Sequence, residues 1–535
     1  MLETLETGRD AFRRHAWNEA QQALDEAAQS EPLSPEDLQL LAEAWWWSGR
    51  PDDALEAWER AYAAYVETGR PTAAAMIAME LAYLAFRRLA YSIGGGWMGR
   101  AEELLAREPE SAAHGWLRLL HGVVATFGRG DLPEAIAHVD AALALGVKHG
   151  NRDVQSLARS IKGIALIYRG EWREGLKLID EATAAAMAGE LNLRAASDIY
   201  CNTIAACRSL ADYRRAGEWT DEADRWMRRQ AVGGYPGICR VHRAELKRLR
   251  GLWPEAEQEA RHACDELLHF HIMDAVGFAQ YEVGEVRLRM GDLVAAEEAF
   301  NRAYEYGTDP QPGLALLRLA RGEIEEAARS ISRSLAGEGG DPSAGDQQNF
   351  LERVRLLPAQ VVISLAAGDL ETARKATEEL EDIAGRYESV AIQAAALTAR
   401  GDLLLMEGNS REAVRALGKG WRLWQQIELP FESARARVLL GRAHAAAGDQ
   451  TSARLDLRAA RAVFQRLGAA NDLQRVDEIL GEEEGLAHVE GRRLTKTFMF
   501  TDIVTSTDLV GLIGDDAWQE LLRWHDRELR SSFVR

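Results

Sequence analysis

Residues 291–303 read GDLVAAEEAFNRA, and the spacing of their small and large apolar residues decides the fold. Alanines follow Gly291 at five and twelve positions, and Phe300 follows it at nine. Small residues permit close approach of a neighbouring helix, and the large residue fills the groove between helices. Gly291 accepts positive φ at low cost, so it is suited to a turn. The stretch therefore predicts the turn and second helix of a helix pair.

The same pattern recurs along most of the chain. Successive turns at 130, 170, 211, 251 and 291 are 40 or 41 residues apart, as are those at 368, 408 and 448. The turn markers are Gly49 with Ala54, Gly96 with Ala101, Gly130 with Ala135, Gly251 with Ala256, Gly291 with Ala296, Gly322 with Ala327, Gly368 with Ala373, Gly408 with Ala413 and Gly448 with Ala453, and in looser form Gly170 with Gly175 and Ala211 with Ala216. Small residues stand seven positions before the turn: Gly8, Ala42, Gly163, Gly284, Gly401 and Gly441. Large residues stand nine after it: Trp58, Val139, Ile179, Phe300, Leu417 and Leu457.

These spacings resemble the tetratricopeptide repeat, although the period exceeds the usual length of about 34 residues and overlaps with HEAT-type arrays. The small, large and small positions favour the tetratricopeptide interpretation with lengthened helices. We expect about twelve units from residue 8 to about 466, in a repeat array spanning 1–480. Irregular marker spacing at 49–96 and 322–368 predicts insertions, and residues 337–348 are expected to form an exposed loop. Such an array presents a concave surface for a protein or peptide ligand.

The composition is that of an acidic globular protein. The 535 residues carry a net charge of −20, which repels nucleic acid and anionic membranes, so we expect neither as a partner. Residues 1–10 contain no apolar run, and no membrane-spanning apolar stretch is found in the sequence. A cytoplasmic location with reduced cysteines is therefore expected. The four cysteines, which form no CxxC pair, are Cys201, Cys207, Cys239 and Cys264.

Two groups of residues inside the array invite a functional interpretation. Trp45, Trp46 and Trp47 cannot all face one side of a helix, so at least one is expected to be exposed or to lie in a groove between repeats. Core packing is favoured for them over a ligand platform. His269 and His271 are two positions apart and are expected on different faces of a helix, which does not favour a metal site. No active site is predicted within the repeats.

The sequence changes character after Glu482. Residues 481–493 are polar and contain glycine, which predicts a linker. Residues 494–504, LTKTFMFTDIV, are rich in β-branched and aromatic residues and predict a buried strand, and residues 514–534 have helical periodicity. Asp502 stands near the end of the strand, before a turn rich in threonine and serine, where a carboxylate and backbone N–H groups suit magnesium and phosphate. An edge strand with an aspartate capping a turn is the alternative.

Residues 496–526, KTFMFTDIVTSTDLVGLIGDDAWQELLRWHD, resemble the opening of a class III adenylate/guanylate cyclase domain, whose first motif commonly reads FTDIVGST. The resemblance implies that Asp502 and the backbone carbonyl of Ile503 bind metal. It also implies that the turn at Thr505, Ser506 and Thr507 contacts nucleotide phosphates. In the family, two Mg²⁺ or Mn²⁺ ions activate the ribose 3′-hydroxyl of ATP or GTP as pyrophosphate leaves. Family cyclases are dimers with composite sites, so a homodimer is implied.

The chain departs from the family pattern in two ways. Thr505 replaces the usual glycine, and threonine should impair the turn if the site needs positive φ. The second metal aspartate and the purine-selecting residues lie farther along in the family, so residues 494–535 are expected to hold only the start of the catalytic domain and to be inactive. His525 and Asp526 match a recurrent helix position to which we assign no catalytic role.

The predicted fold is an all-α superhelical array of tetratricopeptide-like helix pairs, followed by the first strand and helix of an α+β, ferredoxin-like cyclase domain. The leading functional prediction is a cytosolic signalling protein whose repeats sense a partner and regulate the cyclase. One alternative is a non-catalytic repeat scaffold with a vestigial cyclase remnant. Another is a repeat-containing transcriptional regulator, which the negative charge and the lack of a recognisable helix-turn-helix disfavour.

Overall fold

A computed structural model describes residues 2–230, 238–337 and 350–489, together with Trp518 and residues 521–525. The chain divides into two compact units, Met1–Leu480 and Gly481–Arg535, which we call the repeat array and the C-terminal unit. Every secondary-structure element in the described residues is a helix, and none of these residues is in a strand. No helix in the described part of the chain is both long and apolar enough to cross a lipid bilayer.

The described residues of the repeat array form twelve consecutive helix pairs, α1–α24, followed by α25. A π-helical segment, Val124–Arg129, extends α7. The helices are α1 Leu2–Arg13, α2 Trp17–Ser30, α3 Pro35–Trp47, α4 Pro51–Glu67, α5 Pro71–Arg87, α6 Tyr91–Leu105, α7 Ala112–Val123, α8 Leu132–Lys148, α9 Arg152–Arg169, α10 Trp172–Met187, α11 Leu193–Ser209, α12 Tyr213–Arg229, α13 Ile238–Leu249, α14 Trp253–His269, α15 Met273–Met290, α16 Leu293–Glu305, α17 Gly313–Ala320, α18 Ile324–Leu335, α19 Phe350–Ala366, α20 Leu370–Tyr387, α21 Val390–Met406, α22 Ser410–Gln426, α23 Pro430–Ala446, α24 Gln450–Leu467 and α25 Ala470–Val489.

A glycine followed by an aspartate forms the turn inside several pairs. Gly291 ends α15 in the left-handed conformation, with φ of 89°. The side chain of Asp292 then accepts a hydrogen bond from the Ala295 backbone N–H at 3.1 Å, which caps the first turn of α16. Aspartates that follow a glycine cap the second helices of three other pairs in the same way: Asp131, Asp369 and Asp449. Two adjacent residues thus end one helix and begin the next.

The predicted small and large positions meet across each pair. A Cβ atom added to Gly284 would lie 2.5 Å from the ring of Phe300, and one added to Gly401 would lie 2.4 Å from Leu417. Real Cβ atoms do not approach other atoms so closely, so the glycine is needed for the large residue to fit. The prediction of a small position seven residues before the turn and a large one nine after it is confirmed.

The turn predicted at Gly96 is wrong. Gly96 lies inside α6, and Leu89 takes the left-handed conformation of that turn, with φ of 61°. Leu89 stands where the repeat period counted from Gly49 places a turn, so no insertion separates residues 49 and 96. The pattern was missed because a leucine rarely adopts positive φ and carries none of the glycine signal.

The repeat array winds into a superhelix whose successive turns touch. The indole N–H of Trp172 donates to the carbonyl oxygen of Arg386, 214 residues along the chain, at 2.8 Å. His269 Nε2 lies 2.8 Å from the carbonyl oxygen of Gly49, at a separation of 220 residues. One superhelical turn therefore takes about 220 residues, and the winding brings together side chains that no single repeat contains.

The three consecutive tryptophans are all buried, so the favoured prediction of core packing is confirmed and none of the three rings is exposed. Trp45, Trp46 and Trp47 expose 8%, 3% and 4% of their surface. Trp47 packs on Trp17, with ring centroids 6.1 Å apart. The ring of Trp46 lies 5.1 Å from that of Phe270, one superhelical turn later. The later turn covers the face that an isolated repeat would expose.

The two histidines predicted on different faces of one helix do not share a helix. His269 is the last residue of α14, and His271 lies beyond it with φ of 55°. His271 Nε2 lies 2.8 Å from Asp52 Oδ1, next to the contact between His269 and Gly49. Both histidines therefore join successive superhelical turns.

The boundary of the C-terminal unit differs in detail from the predicted linker. Helix α25 continues to Val489, so most of the segment 481–493 is helical. Trp518 and residues 521–525 are helical, within the helix predicted at 514–534. The predicted strand, 494–504, lies outside the described residues, as does nearly all of the predicted loop at 337–348.

Candidate functional site

The residues that the cyclase resemblance singles out lie outside the described part of the chain. They are Asp502, Ile503, Thr505, Ser506, Thr507 and Asp526. The metal and nucleotide sites therefore stay predictions. Among the described residues, no group of three or more histidine, cysteine, aspartate or glutamate side chains could hold a metal ion. The four cysteines are free thiols, and Cys207 and Cys264 are buried.

Polar side chains of the first helices of several pairs meet in the interior of the repeat array. A guanidinium nitrogen of Arg194, on α11, lies 2.6 Å from a carboxylate oxygen of Glu80, on α5. Arg87, also on α5, lies 2.7 Å from Asp274, on α15. These helices belong to the third, sixth and eighth pairs, so the ion pairs join helices that are not neighbours in the array. The interior is therefore narrow at this level.

The first group of interior side chains contains more carboxylates than arginines, and we call it the acid-rich cluster. Its members are Glu43, Glu80, Asp198, Asp274, Arg87, Arg194 and Tyr83. Burial raises the pKa of Glu80, and the nearby charge of Asp198 raises it further against the opposing effect of Arg194. Burial likewise raises the pKa of Glu43, and it raises that of Tyr83 to about 12. Two guanidinium groups are shared among four carboxylates, so ionisation of all four is opposed.

The second group contains more arginines than carboxylates, and we call it the arginine-rich cluster. Its members are Arg208, Arg248, Arg289, Arg355, Glu245, Glu282 and Glu285. At its edge Arg289 also lies 3.8 Å from Glu432, which itself pairs with Arg435. Arg248 Nε donates to Glu282 Oε2 at 2.7 Å, and Arg289 donates to Glu285 at 2.5 Å. Arg208 donates to Glu245. Burial opposes ionisation of Glu245, but the charges of the surrounding arginines outweigh it and lower its pKa to about 2.

Two accessible side chains lie between and beside these clusters. Phe278 exposes 46% of its surface on α15, one helical turn after Asp274 and one before Glu282. Arg355, on α19, is also exposed, and its guanidinium carbon lies 5.3 Å from the centre of the Tyr281 ring. Within the described residues, no carboxylate is in ion-pair contact with it, although Glu245, Glu282 and Glu285 act on its charge from a greater distance. We call the accessible surface around Phe278 and Arg355, beside the buried ion pairs, the interior opening.

Neither cluster was predicted from the sequence, although one signal for them is present. YEVGEVRLRM (281–290) places Glu282 and Glu285 on a first helix whose packing positions are otherwise apolar. A carboxylate at such a position needs a buried partner. Arg289 lies one turn after Glu285 on the same helix, but Arg248, the partner of Glu282, comes from another pair, so the sequence alone does not identify it.

The described residues place this chain in the class of all-α superhelical arrays of tetratricopeptide-like helix pairs. No protein-family model matches the chain, and no curated protein matches it. One similar solved structure is the Cut9–Hcn1 hetero-tetramer of the APC/C, at 14% identity and a TM-score of 0.40, covering 89% of this chain and 96% of that chain. Another is a Rap protein complexed with competence and sporulation factor, at 10% identity and a TM-score of 0.40, covering 74% of this chain and 98% of that chain. A third is NprR with its cognate peptide NprX, at 14% identity and a TM-score of 0.39, covering 52% of this chain and 82% of that chain. Because these identities and TM-scores are low, the ligands of those proteins are not assigned to this chain.

Proposed function

We propose that the repeat array is a non-catalytic binding scaffold that holds an extended peptide segment in its interior. The observation that carries this proposal is Phe278, which exposes 46% of its surface between ion-paired side chains on the same helix. Burying an exposed aromatic ring against a ligand gains about 25 cal/mol for each Å² of apolar surface removed from water. The neighbouring ion pairs provide a rigid polar frame for that contact.

The width of the interior favours an extended segment over a folded partner. The ion pairs of Arg194 with Glu80 and of Arg87 with Asp274 bring α5 within side-chain reach of α11 and α15. An α-helix with its side chains is about 10 Å across, so none fits between helices whose side chains are in ion-pair contact. An extended chain is narrower and can hydrogen-bond polar side chains along its length.

Selection of short random peptides displayed on phage, with the intact chain as the immobilised target, tests the proposal. We expect selected peptides to bind Phe278→Ala about tenfold more weakly than the wild type, as for an aromatic contact at the centre of an interface. Tyr304→Ala is the matched control, because Tyr304 is an exposed aromatic residue on the second helix of its pair, α16. Peptides that bind Phe278→Ala and the wild type equally would place the ligand elsewhere and refute the proposal.

From the sequence resemblance alone, we also propose that residues 494–535 open a cyclase domain that the repeats regulate in a cytoplasmic homodimer. Asp502 and the carbonyl of Ile503 would bind Mg²⁺ or Mn²⁺, and Thr505, Ser506 and Thr507 would contact the phosphates of ATP or GTP. Because these residues include one of the two metal aspartates that the resemblance implies, we expect the 535-residue chain to form no cyclic nucleotide from either triphosphate. Turnover that Asp502→Ala abolishes would contradict that expectation and would show that the metal site is functional.

A further inference from the structure

The interior opening lies between two groups of opposite charge excess. Asp274, Phe278 and Glu282 are four residues apart on α15, so they share one face of that helix. Asp274 belongs to the acid-rich cluster, and Glu282 belongs to the arginine-rich cluster. A ligand that covers Phe278 therefore meets an excess of carboxylates on one side and an excess of guanidinium groups on the other.

The acid-rich side has a carboxylate oxygen that accepts no side-chain hydrogen bond. Asp274 pairs with Arg87 through Oδ2. The other carboxylate oxygen, Oδ1, is buried and has no side-chain donor within the described residues, although the backbone N–H groups of Asp274 and Ala275 also act on this carboxylate. A buried acceptor gains stability from a further donor. An ammonium group at this position would donate to Asp274 and would reduce the repulsion among the four carboxylates of the cluster.

The arginine-rich side has an accessible cation. Its three glutamates each accept hydrogen bonds from an arginine other than Arg355: Glu245 from Arg208, Glu282 from Arg248, and Glu285 from Arg289. Arg355 is exposed and lies over Tyr281. Glu352 lies one turn before Arg355 on α19, but its charge acts on Tyr168 of α9, and it forms no ion pair with Arg355 in the described residues. A planar guanidinium in this position can bind a carboxylate through two parallel hydrogen bonds.

We propose that the interior binds a peptide segment with a cationic side chain at one end, an apolar side chain in the middle and a carboxylate at the other end. The cation lies at Asp274, the apolar side chain packs on Phe278, and the carboxylate binds Arg355. The stretch of α15 from Asp274 to Glu285 is roughly 16 Å long, which an extended chain spans with about five residues. This inference rests on the proposed function, because it specifies the ligand of the same opening.

Four pools of pentapeptides blocked at both ends test the inference by fluorescence anisotropy with the intact chain. The first pool reads Lys-X-Leu-X-Glu, with X alanine or serine. Two others replace either the lysine or the glutamate by glutamine, and the fourth replaces both. We expect each single replacement to weaken binding about tenfold, as for loss of a charge-assisted hydrogen bond. Equal affinity of all four pools would overturn the inference.

Variants of the chain assign each charge to its partner. Arg355→Met should abolish the preference for glutamate over glutamine and leave the preference for lysine unchanged, and Asp274→Asn should do the reverse. Arg355→Lys should keep part of the glutamate preference, which separates loss of charge from loss of folding. Arg415→Met, at an exposed arginine on α22, should keep both preferences.

The outcomes separate this inference from the proposed function. A glutamate preference that persists in Arg355→Met would overturn the inference, as would failure of all four pools to bind. Phage selection decides the proposed function independently, since it makes no assumption about ligand charge. Selected peptides that depend on Phe278 but lack charges would leave the scaffold standing and refute the zwitterionic ligand.

Discussion

The acid-rich and arginine-rich clusters use the same residue types on the same kind of helix, yet the pKa values of their carboxylates are not shifted alike. Burial raises the pKa of Glu43 and Glu80 in the first cluster. In the second, arginine charges lower the pKa of Glu245 to about 2 and also lower that of Glu285 despite burial. The pKa of Glu282 is raised, because burial and the charges of Glu245 and Glu285 outweigh Arg248. Charge balance contributes to the difference, because four carboxylates share two arginines in one cluster and three share four in the other, where two of the three have a lowered pKa. Burial alone therefore does not set the ionisation of an interior carboxylate.

The largest expected effect comes from removing the central arginine of the arginine-rich cluster. Arg248 is buried and lies 2.7 Å from Glu282 and 3.5 Å from Glu285. Arg248→Met would leave both carboxylates without this charge, so we expect a loss of about 3–5 kcal/mol in the free energy of unfolding, measured by urea denaturation. Arg415→Met, at an exposed position, should change it by less than about 0.5 kcal/mol. A loss below about 1 kcal/mol for Arg248→Met would show that the cluster is not held together by this residue.

The second-largest expected effect is the pH dependence of the free energy of unfolding, which should differ between the two clusters. Because the pKa of Glu245 is lowered from 4.5 to about 2, its stabilising contribution is present above pH 4.5 and lost as the pH falls toward 2. We expect the wild type to lose about 3 kcal/mol from this residue over that interval. Urea denaturation of Glu245→Gln across the same pH range should show a correspondingly smaller acid loss. Identical pH profiles for the two proteins would contradict the charge-balance explanation.

The smallest change in the free energy of unfolding is expected in the acid-rich cluster, where stability falls as the pH rises. The pKa of Glu43 is raised by burial, so its favourable contribution is present below its ordinary pKa and lost as the pH rises through the folded value. Glu43→Gln should therefore stabilise the protein at pH 8, by up to about 1 kcal/mol, and stabilise it less at pH 5. Thermal unfolding at the two pH values measures the difference. The exposed Glu59 on α4 provides the control. If Glu59→Gln stabilises the protein at pH 8 as much as Glu43→Gln does, burial of Glu43 is not the cause.

Contacts within one repeat could be predicted from the sequence, whereas contacts between superhelical turns could not. The fit of Gly284 to Phe300 was predictable because both positions lie in one helix pair and recur with the period. Leu89 was missed because its positive φ is imposed by its place in the array and not by its own preference. The contact of Trp46 with Phe270 could not be predicted because Phe270 lies one superhelical turn away. The interior clusters were missed for the same reason.

The sequence by itself determined the helix pairs, their period and the small and large residues that join them. It did so because helix periodicity and turn chemistry act over a few residues. Only the tertiary structure decided which first helices meet in the interior and which charges face each other there. Small rotations between successive repeats add up over about 220 residues to one superhelical turn. No single repeat encodes that sum, so the ion pair of Arg87 with Asp274 and the opening beside Phe278 emerge only when the array is wound.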